Sequence, residues 1–162
     1  MGKPAFLIVD MQKNCQESAS SQASFSTALW HINTVGDLFR KRSLPVVIIQ
    51  DLEDGGPGTE GFDCVDELKI DTSDIRIHKL FSNAFWQTEL DAILKANDVD
   101  FVIIAGFAAE HCVLFSFNGA RERGYKAVLL QNGIAGLDED EVKRIQLLRP
   151  VINFRALEYF IK

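Results

Sequence analysis

The sequence has few of the residues that build disulfide frameworks and metal clusters. Its 162 residues include only three cysteines and three histidines. The cysteines, Cys15, Cys64 and Cys112, are odd in number, and no pair has the spacing of a zinc knuckle or a redox CxxC motif. We therefore expect no disulfide framework, and reduced thiols in an intracellular protein.

The chain also lacks long hydrophobic runs and an excess of basic residues. The N-terminal apolar run, Ala5 to Val9, is too short for the core of a signal peptide and ends on Asp10. No segment approaches the roughly 20 apolar residues that span a bilayer. The formal net charge is -6, and no basic stripe is present that would bind phosphates. We expect a cytoplasmic protein that acts on small molecules, without a nucleic-acid or membrane partner.

Short, continuous apolar runs alternate with longer amphipathic stretches. The runs AFLIVD, PVVIIQ, FVIIAG and KAVLLQ occupy residues 5–10, 45–50, 101–106 and 126–131, and weaker strand candidates occupy 74–79 and 151–154. Because the strong runs show no polar alternation, we expect a mainly parallel sheet buried on both faces. Helix candidates lie at residues 24–42, 85–96, 110–123 and 139–148. The pattern predicts one domain over residues 1–162, with a three-layer, doubly wound, Rossmann-like α/β fold of about six strands.

Three residues that can carry chemistry follow three of the predicted strands. Asp10 ends the first apolar run, Lys79 ends the strand candidate DIRIHK, and Cys112 follows FVIIAG at the start of the next predicted helix. Ligands of open α/β sheets bind at the carboxyl ends of the strands, so these side chains are expected at one edge. Helix amides and a nearby ammonium group favour a thiolate, and a carboxylate can take and return its proton. The pattern predicts a cysteine nucleophile for acyl transfer, with the oxyanion received by amides of residues 108–112.

Each of these residues also has a structural explanation. A single cysteine is often a small buried hydrophobic residue, an aspartate after a strand can cap a turn, and a lone lysine is usually solvated. Sequence neighbours point apart on helices and strands, so we expect structural or surface roles for the histidines, His31, His78 and His111. We expect Glu110 to be a helix-capping charge, and no role for Cys15 and Cys64, which fall in predicted loops.

Several motifs resemble those of the isochorismatase-like cysteine hydrolases, the group that also contains nicotinamidases and N-carbamoylsarcosine amidohydrolases. The resemblance covers nearly the whole chain. Its specific parts are LIVDMQ at 7–12, QD at 50–51, IHKLFSNAFWQTEL at 77–90 and GFAAEHCVLFSFNGARERGYKAVLLQNGIAG at 106–136.

This resemblance implies roles for the three candidate residues. By motif, Asp10 matches the family's general base, Lys79 its catalytic lysine and Cys112 its nucleophile. The resemblance also implies a non-proline cis peptide before the nucleophile, which would fall between Ala108 and Ala109 and open an oxyanion pocket. A homo-oligomer is implied by the resemblance alone.

The chain departs from the family pattern at several positions. Ala109 stands where the family usually has threonine, and Cys15 where it usually has an aromatic residue. Nicotinamidases carry an aspartate and histidines in a metal site after the second strand, whereas this chain supplies Asp51 but no histidine there. We therefore expect no zinc, no other cofactor and no nicotinamidase activity. Phe81 and Trp86 resemble the aromatic wall of the family's pocket.

These observations favour hydrolysis of a small amide, ureido or related C–N bond through a thioester on the cysteine. Two alternatives stay open: vinyl-ether hydrolysis of the isochorismatase type, and a non-catalytic member that only binds a small molecule or acts as a scaffold. A flavodoxin-like nucleotide-binding domain is disfavoured, because no GxGxxG or GxxxxGK motif follows the first strand.

Overall fold

A single parallel sheet forms the centre of the structure, a computed structural model that describes residues 2–161. Its strands are β1 (Lys3–Val9), β2 (Val46–Asp51), β3 (Ile75–Lys79), β4 (Val99–Gly106), β5 (Lys126–Ile134) and β6 (Val151–Ile152). The strand order is β3-β2-β1-β4-β5-β6, and all neighbouring pairs are parallel. The predicted doubly wound α/β fold with about six strands is therefore confirmed.

Helices cover both faces of this sheet. They are α1 (Lys13–Ser18), α2 (Gln22–Lys41), α3 (Leu90–Ala96), α4 (Leu114–Glu122), α5 (Glu139–Leu148) and α6 (Phe154–Phe160), with a 3-10 turn at Glu60–Phe62 and a π-helical turn at Ala109–Val113. Alternate residues of β1 point to opposite faces: Leu7 packs with the α3, α4 and α5 layer, and Ile8 packs with α2 and α6. This packing explains the continuous apolar runs, since both faces of the central strands are buried.

The helix predicted at 85–96 begins later than expected. In the structure α3 starts at Leu90, and the preceding residues form turns. The side chain of Asn83 accepts the Phe85 N–H at 2.9 Å, and the Thr88 hydroxyl accepts the Leu90 N–H at 3.3 Å. These local side-chain bonds satisfy backbone donors without a helix, which is why helical periodicity alone was misleading there.

The turn after β4 brings the segment that leads to Cys112 against β1. Gly106 has a φ of 125°, and a Cβ atom at this position would lie 1.9 Å from the Val9 carbonyl oxygen, so only glycine fits. The next residue, Phe107, donates its N–H to that same oxygen at 2.9 Å. The strand order reverses at this junction of β1 and β4, which is where open α/β sheets form their binding crevice.

None of the described helices is both long and apolar enough to span a bilayer.

Candidate active site

Asp10 forms the floor of the site at the carboxyl end of β1. Its backbone adopts a left-handed conformation with a φ of 49°, held by an N–H bond to the Ile49 carbonyl at 2.9 Å. The side chain is buried, with the residue 2% exposed, and its Oδ2 lies 2.9 Å from Lys79 Nζ. The other oxygen, Oδ1, is buried and makes no hydrogen bond with any described residue. A free, desolvated acceptor at this position can receive a proton or a ligand N–H.

Lys79 is the buried cation of the site. It ends β3, is 1% exposed, and its Nζ lies 3.3 Å from Cys112 Sγ as well as contacting Asp10 and Asp51. The parallel register pairs Asp51 directly with Lys79, which places the two side chains together. The structure thus brings together Asp10, Lys79 and Cys112, as the strand ends predicted.

Asp51 is a site residue whose position beside Lys79 the sequence analysis missed, because only its value as a metal ligand was considered. Its Oδ2 accepts a hydrogen bond from Lys79, and its Oδ1 accepts the Glu53 N–H at 2.7 Å. The buried amide of Gln12 holds its backbone on both sides, accepting the Asp51 N–H at 2.7 Å and donating to the Asp51 carbonyl at 3.1 Å. The available signal was its place at the end of the second strand, at the same edge as Asp10.

Cys112 lies in the π-helical turn that follows β4. A non-proline cis peptide precedes this turn, but it joins Phe107 to Ala108, so the expected position between Ala108 and Ala109 is wrong by one residue. The helical turn starts earlier than assumed, since the Ala108 carbonyl already accepts the His111 and Val113 N–H groups at 3.0 and 3.1 Å.

The two alanines predicted to receive an oxyanion differ in the structure. Ala108 lines the cavity beside Cys112. Ala109 is fully buried and donates its N–H to the Ala135 carbonyl at 2.8 Å, so this amide is already occupied. The expectation that the Ala109 N–H donates a hydrogen bond to the oxyanion is therefore wrong.

Electrostatics in the site are set by burial and by close charges. Burial raises the pKa of Asp10 from 3.8 to about 6, against the lowering effect of the Lys79 charge. Burial and then the Asp10 charge raise the pKa of Cys112 to about 12, although Lys79 opposes them. Burial by itself would lower the pKa of Lys79, but the surrounding negative groups, Asp10 above all, raise it. At neutral pH the site therefore holds a neutral thiol beside an ionised carboxylate and an ammonium, so the thiol needs Asp10 as a base before it can react.

A cavity of about 350 Å³ opens above these groups. Its lining residues are Asp10, Asn14, Cys15, Ser18, Asp51, Glu53, Asp54, Ser82, Phe107, Ala108, His111, Cys112 and Leu137. Phe81 and Trp86, the expected aromatic wall, are not among them, and both side chains are about half exposed. The aromatic side chain of this cavity is Phe107, because the turn after β3 carries Phe81 and Trp86 outward.

Several residues without an assigned role have a place in or near this cavity. Cys15 lies in α1 rather than in a loop and lines the cavity, where burial raises the pKa of its thiol. His111 also lines the cavity, and it is exposed at the surface. Glu110 does not cap its own helix: its Oε1 accepts the N–H groups of Leu137 and Asp138 at 2.7 and 3.0 Å and so holds the loop after β5.

The other two histidines and the third cysteine lie elsewhere. His78 packs edge-on against the Phe62 ring, with centroids 5.1 Å apart, and His31 Nδ1 lies 2.9 Å from the Thr27 carbonyl oxygen on α2. Cys64 is half-buried and forms an isolated antiparallel bridge with Gln12.

Three potential metal ligands converge in the site. Ligand atoms of Asp10, Asp51 and Cys112 lie within 4.8 Å of one another. The ammonium group of Lys79 contacts all three side chains, however, and so fills the position that a cation would take. This donor set does not fit a resident zinc ion, which favours histidine and cysteine ligands without a competing cation.

The fold and the site define a doubly wound α/β enzyme with a cysteine, a lysine and two aspartates at the carboxyl edge of its sheet. Residues 4–151 match the family model of the isochorismatase domain. The chain therefore belongs to the isochorismatase family of hydrolases, which confirms the resemblance found in its motifs.

Relatives of known sequence and structure extend this comparison. The uncharacterized isochorismatase family protein YrdC of Bacillus subtilis is 27% identical over 138 residues, covering 82% of this chain and 74% of the relative. Ureidoacrylate amidohydrolase RutB of Agrobacterium fabrum is 29% identical over 115 residues; this match covers 71% of this chain and 48% of RutB, about half of that enzyme's length. The crystal structure of N-carbamoylsarcosine amidase from Thermoplasma acidophilum matches with a TM-score of 0.79 at 25% identity, covering 93% of this chain and 95% of the amidase.

Proposed function

We propose that this protein hydrolyses a small non-peptide amide, ureido or related C–N bond through a thioester on Cys112. The observation that carries the proposal is the contact of Lys79 Nζ with both the Asp10 carboxylate, at 2.9 Å, and the Cys112 sulfur, at 3.3 Å. A buried base, a thiol and a cation within hydrogen-bond reach are the components of nucleophilic catalysis. The names of the ureidoacrylate amidohydrolase and of the N-carbamoylsarcosine amidase support an amide-type bond.

Acylation uses the neutral thiol and the ionised carboxylate. The Cys112 sulfur attacks the substrate carbonyl and forms a C–S bond while Asp10 accepts the thiol proton. Asp10 is suited to this task, because its raised pKa of about 6 makes it a stronger base than an ordinary carboxylate while it stays ionised at neutral pH. The negative oxygen of the tetrahedral intermediate is received beside Ala108, which lines the cavity.

Collapse of the intermediate breaks the C–N bond. Asp10 transfers its proton to the departing nitrogen, the amine leaves, and the acyl group remains on sulfur as a thioester. Water then attacks the thioester carbonyl with Asp10 again as base, the C–S bond breaks, and the thiol is restored with the proton from Asp10. Lys79 stays an ammonium throughout and keeps the carboxylate and the sulfur in contact.

Vinyl-ether hydrolysis of the isochorismatase type is less well supported. Isochorismate carries two carboxylates, and a site for it should offer cationic side chains. No lysine or arginine is among the residues that line the cavity. A purely non-catalytic binding role would leave the buried Asp10 and Lys79 pair beside a thiol unexplained.

Release of ammonia or amine from a panel of small amides and ureides tests the proposal. We expect Cys112→Ser and Asp10→Asn to lower kcat/KM by at least about a thousandfold, because each removes a reacting group. Cys64→Ser is the matched control, since this half-buried cysteine does not line the cavity, and it should retain activity. Equal turnover by Cys112→Ser and the unchanged enzyme, or no turnover of any panel member, would contradict the proposal.

A further inference from the structure

We propose that the cavity selects amides carrying a positive charge, such as an ammonium or guanidinium group beyond the scissile bond, over amides carrying a carboxylate. This inference rests on the proposed function and adds a substrate class to it. It follows from the charges that line the cavity and from an unpartnered acceptor at its floor.

Four acidic side chains and the imidazole of His111 line the cavity, and no described lysine or arginine does. Asp51 ends β2, and Glu53 and Asp54 belong to the loop that follows. Among the described residues, Lys79 is the buried cation next to the cavity, and its ammonium group is already paired with Asp10 and Asp51. A ligand therefore meets an excess of negative charge.

Burial divides the cavity into a floor and a rim. Asp10 at the floor is 2% exposed, whereas Glu53 and Asp54 are exposed. The carboxylates of Glu53 and Asp54 make no ion pair with any other described residue, so both are available to a ligand cation. A substrate that reaches from the floor to the rim would place its distal end among these carboxylates.

The floor supplies a second, independent contact, which orients the substrate so that its distal end reaches the rim. Asp10 Oδ1 is buried, lines the cavity and lacks a hydrogen-bond partner among the described residues. A buried carboxylate oxygen is stabilised when a ligand donates an N–H to it, as the amide nitrogen of either ligand class does. Floor and rim thus favour the same ligand: an amide N–H at one end and a cation at the other.

The expected size of the preference is moderate. Exposed carboxylates contribute about two- to fivefold each to the binding of an opposite charge, and salt screens the effect. The two rim carboxylates attract a cationic ligand and repel an anionic one. We therefore expect the cationic ligand to be favoured over the anionic one by about tenfold or more at low salt.

A charge series of thiol reagents measures this preference without knowledge of the substrate. The reagents are cationic trimethylammonium-ethyl, uncharged methyl and anionic sulfonatoethyl methanethiosulfonate. In each reaction the Cys112 sulfur attacks the sulfenyl sulfur of the reagent, which bears the variable group, and a disulfide forms. Methanesulfinate leaves with the electron pair of the broken S–S bond, and the thiol proton passes to Asp10 or solvent. Peptide mass spectrometry follows Cys112 alone, and each rate is divided by the rate with β-mercaptoethanol.

The test compares two double variants that remove the same charges. Glu53→Gln with Asp54→Asn should lower the ratio of cationic to anionic rates by about tenfold. Asp98→Asn with Glu122→Gln removes one aspartate and one glutamate charge outside the cavity lining and should leave the ratio within about twofold. High salt should reduce the ratio in the unchanged protein.

Two results would overturn the inference: a ratio at or below one, or a ratio that Glu53→Gln with Asp54→Asn leaves unchanged. Because the ratio cancels the intrinsic reactivity of the sulfur, it does not depend on whether amides are hydrolysed. Failure of the proposed function would appear separately, as an amide panel without turnover.

Discussion

Lys79 supplies the buried positive charge of the candidate site. Its buried ammonium group touches two carboxylates and the Cys112 sulfur. Burying an ion pair is costly, and the pair is tolerated only while both charges are present. Lys79 is therefore needed for stability as well as for the geometry of the site.

Lys79→Met should destabilise the fold by about 3 kcal/mol at pH 8, because it leaves the Asp10 carboxylate buried beside Asp51. Lys79 normally lowers the pKa of Asp10, so the variant raises it further above 3.8, the unfolded value. A folded-state pKa above the unfolded value makes stability fall as pH rises, and the loss should therefore be smaller at pH 5.

Adding Asp10→Asn to Lys79→Met should restore most of the lost stability and no activity, since the unpaired buried charge is gone. Urea unfolding of the two single variants and the double variant at both pH values measures this cycle. A double variant less stable than Lys79→Met would contradict the account.

We expect Asp51 to act on the proposed reaction through its neighbours. It accepts a hydrogen bond from Lys79, and its negative charge contributes to the raised pKa of Asp10. We classify it as a positioning residue, because in this account it does not touch the reacting atoms.

Asp51→Asn keeps an acceptor for Lys79 but removes a charge. We expect kcat/KM to fall by about tenfold, and the acid limb of its pH profile to move below pH 6, because the pKa of Asp10 falls when the nearby negative charge is lost. The pH profile of hydrolysis, or of Cys112 alkylation, measures the shift. If Asp51 had a purely structural role, Asp51→Asn would lower kcat/KM but leave the acid limb of the pH profile at about pH 6.

At the scale of elements, the strands were more predictable than the loops. The apolar runs predicted β1, β2, β4 and β5 because both faces of these strands are buried. Helix α1 has no buried residue and therefore no apolar periodicity that could have revealed it. Likewise, the ends of strands predicted Asp10 and Lys79. The path of the chain beyond the strands decided that Glu53, in a loop, and Cys15, in α1, line the cavity and that Phe81 and Trp86 do not.

The junction of β4 and β1 can be tested by a pair of glycine substitutions. Gly106 and Gly124 both have positive φ angles, 125° and 89°, but only Gly106 would place a Cβ against backbone, 1.9 Å from Val9 O. Gly124→Ala should cost about 1 kcal/mol from backbone strain alone, and Gly106→Ala at least about 3 kcal/mol. Denaturant unfolding measures both, and equal losses would argue against the close approach of the two strands.

At the scale of the whole molecule, the order of the strands explains why the candidate site residues lie together at one edge of the sheet. Strands β3, β2, β1 and β4 are consecutive neighbours, so their carboxyl ends place Lys79, Asp51, Asp10 and the Cys112 turn side by side. The single domain over residues 1–162 and the homo-oligomer stay predictions. The absence of zinc is also still a prediction. It is supported by Lys79, whose ammonium group fills the place where a metal cation would bind.

The central claim is that Asp10 activates the Cys112 thiol. The most direct measurement is the rate of iodoacetamide alkylation of Cys112 between about pH 5 and pH 9, followed peptide by peptide with Cys15 as an internal comparison in the same cavity. We predict that the Cys112 rate rises through about pH 6, where Asp10 ionises, and then levels off. Asp10→Asn should abolish this step. Parallel pH profiles for Cys112 and Cys15, unchanged by Asp10→Asn, would contradict it.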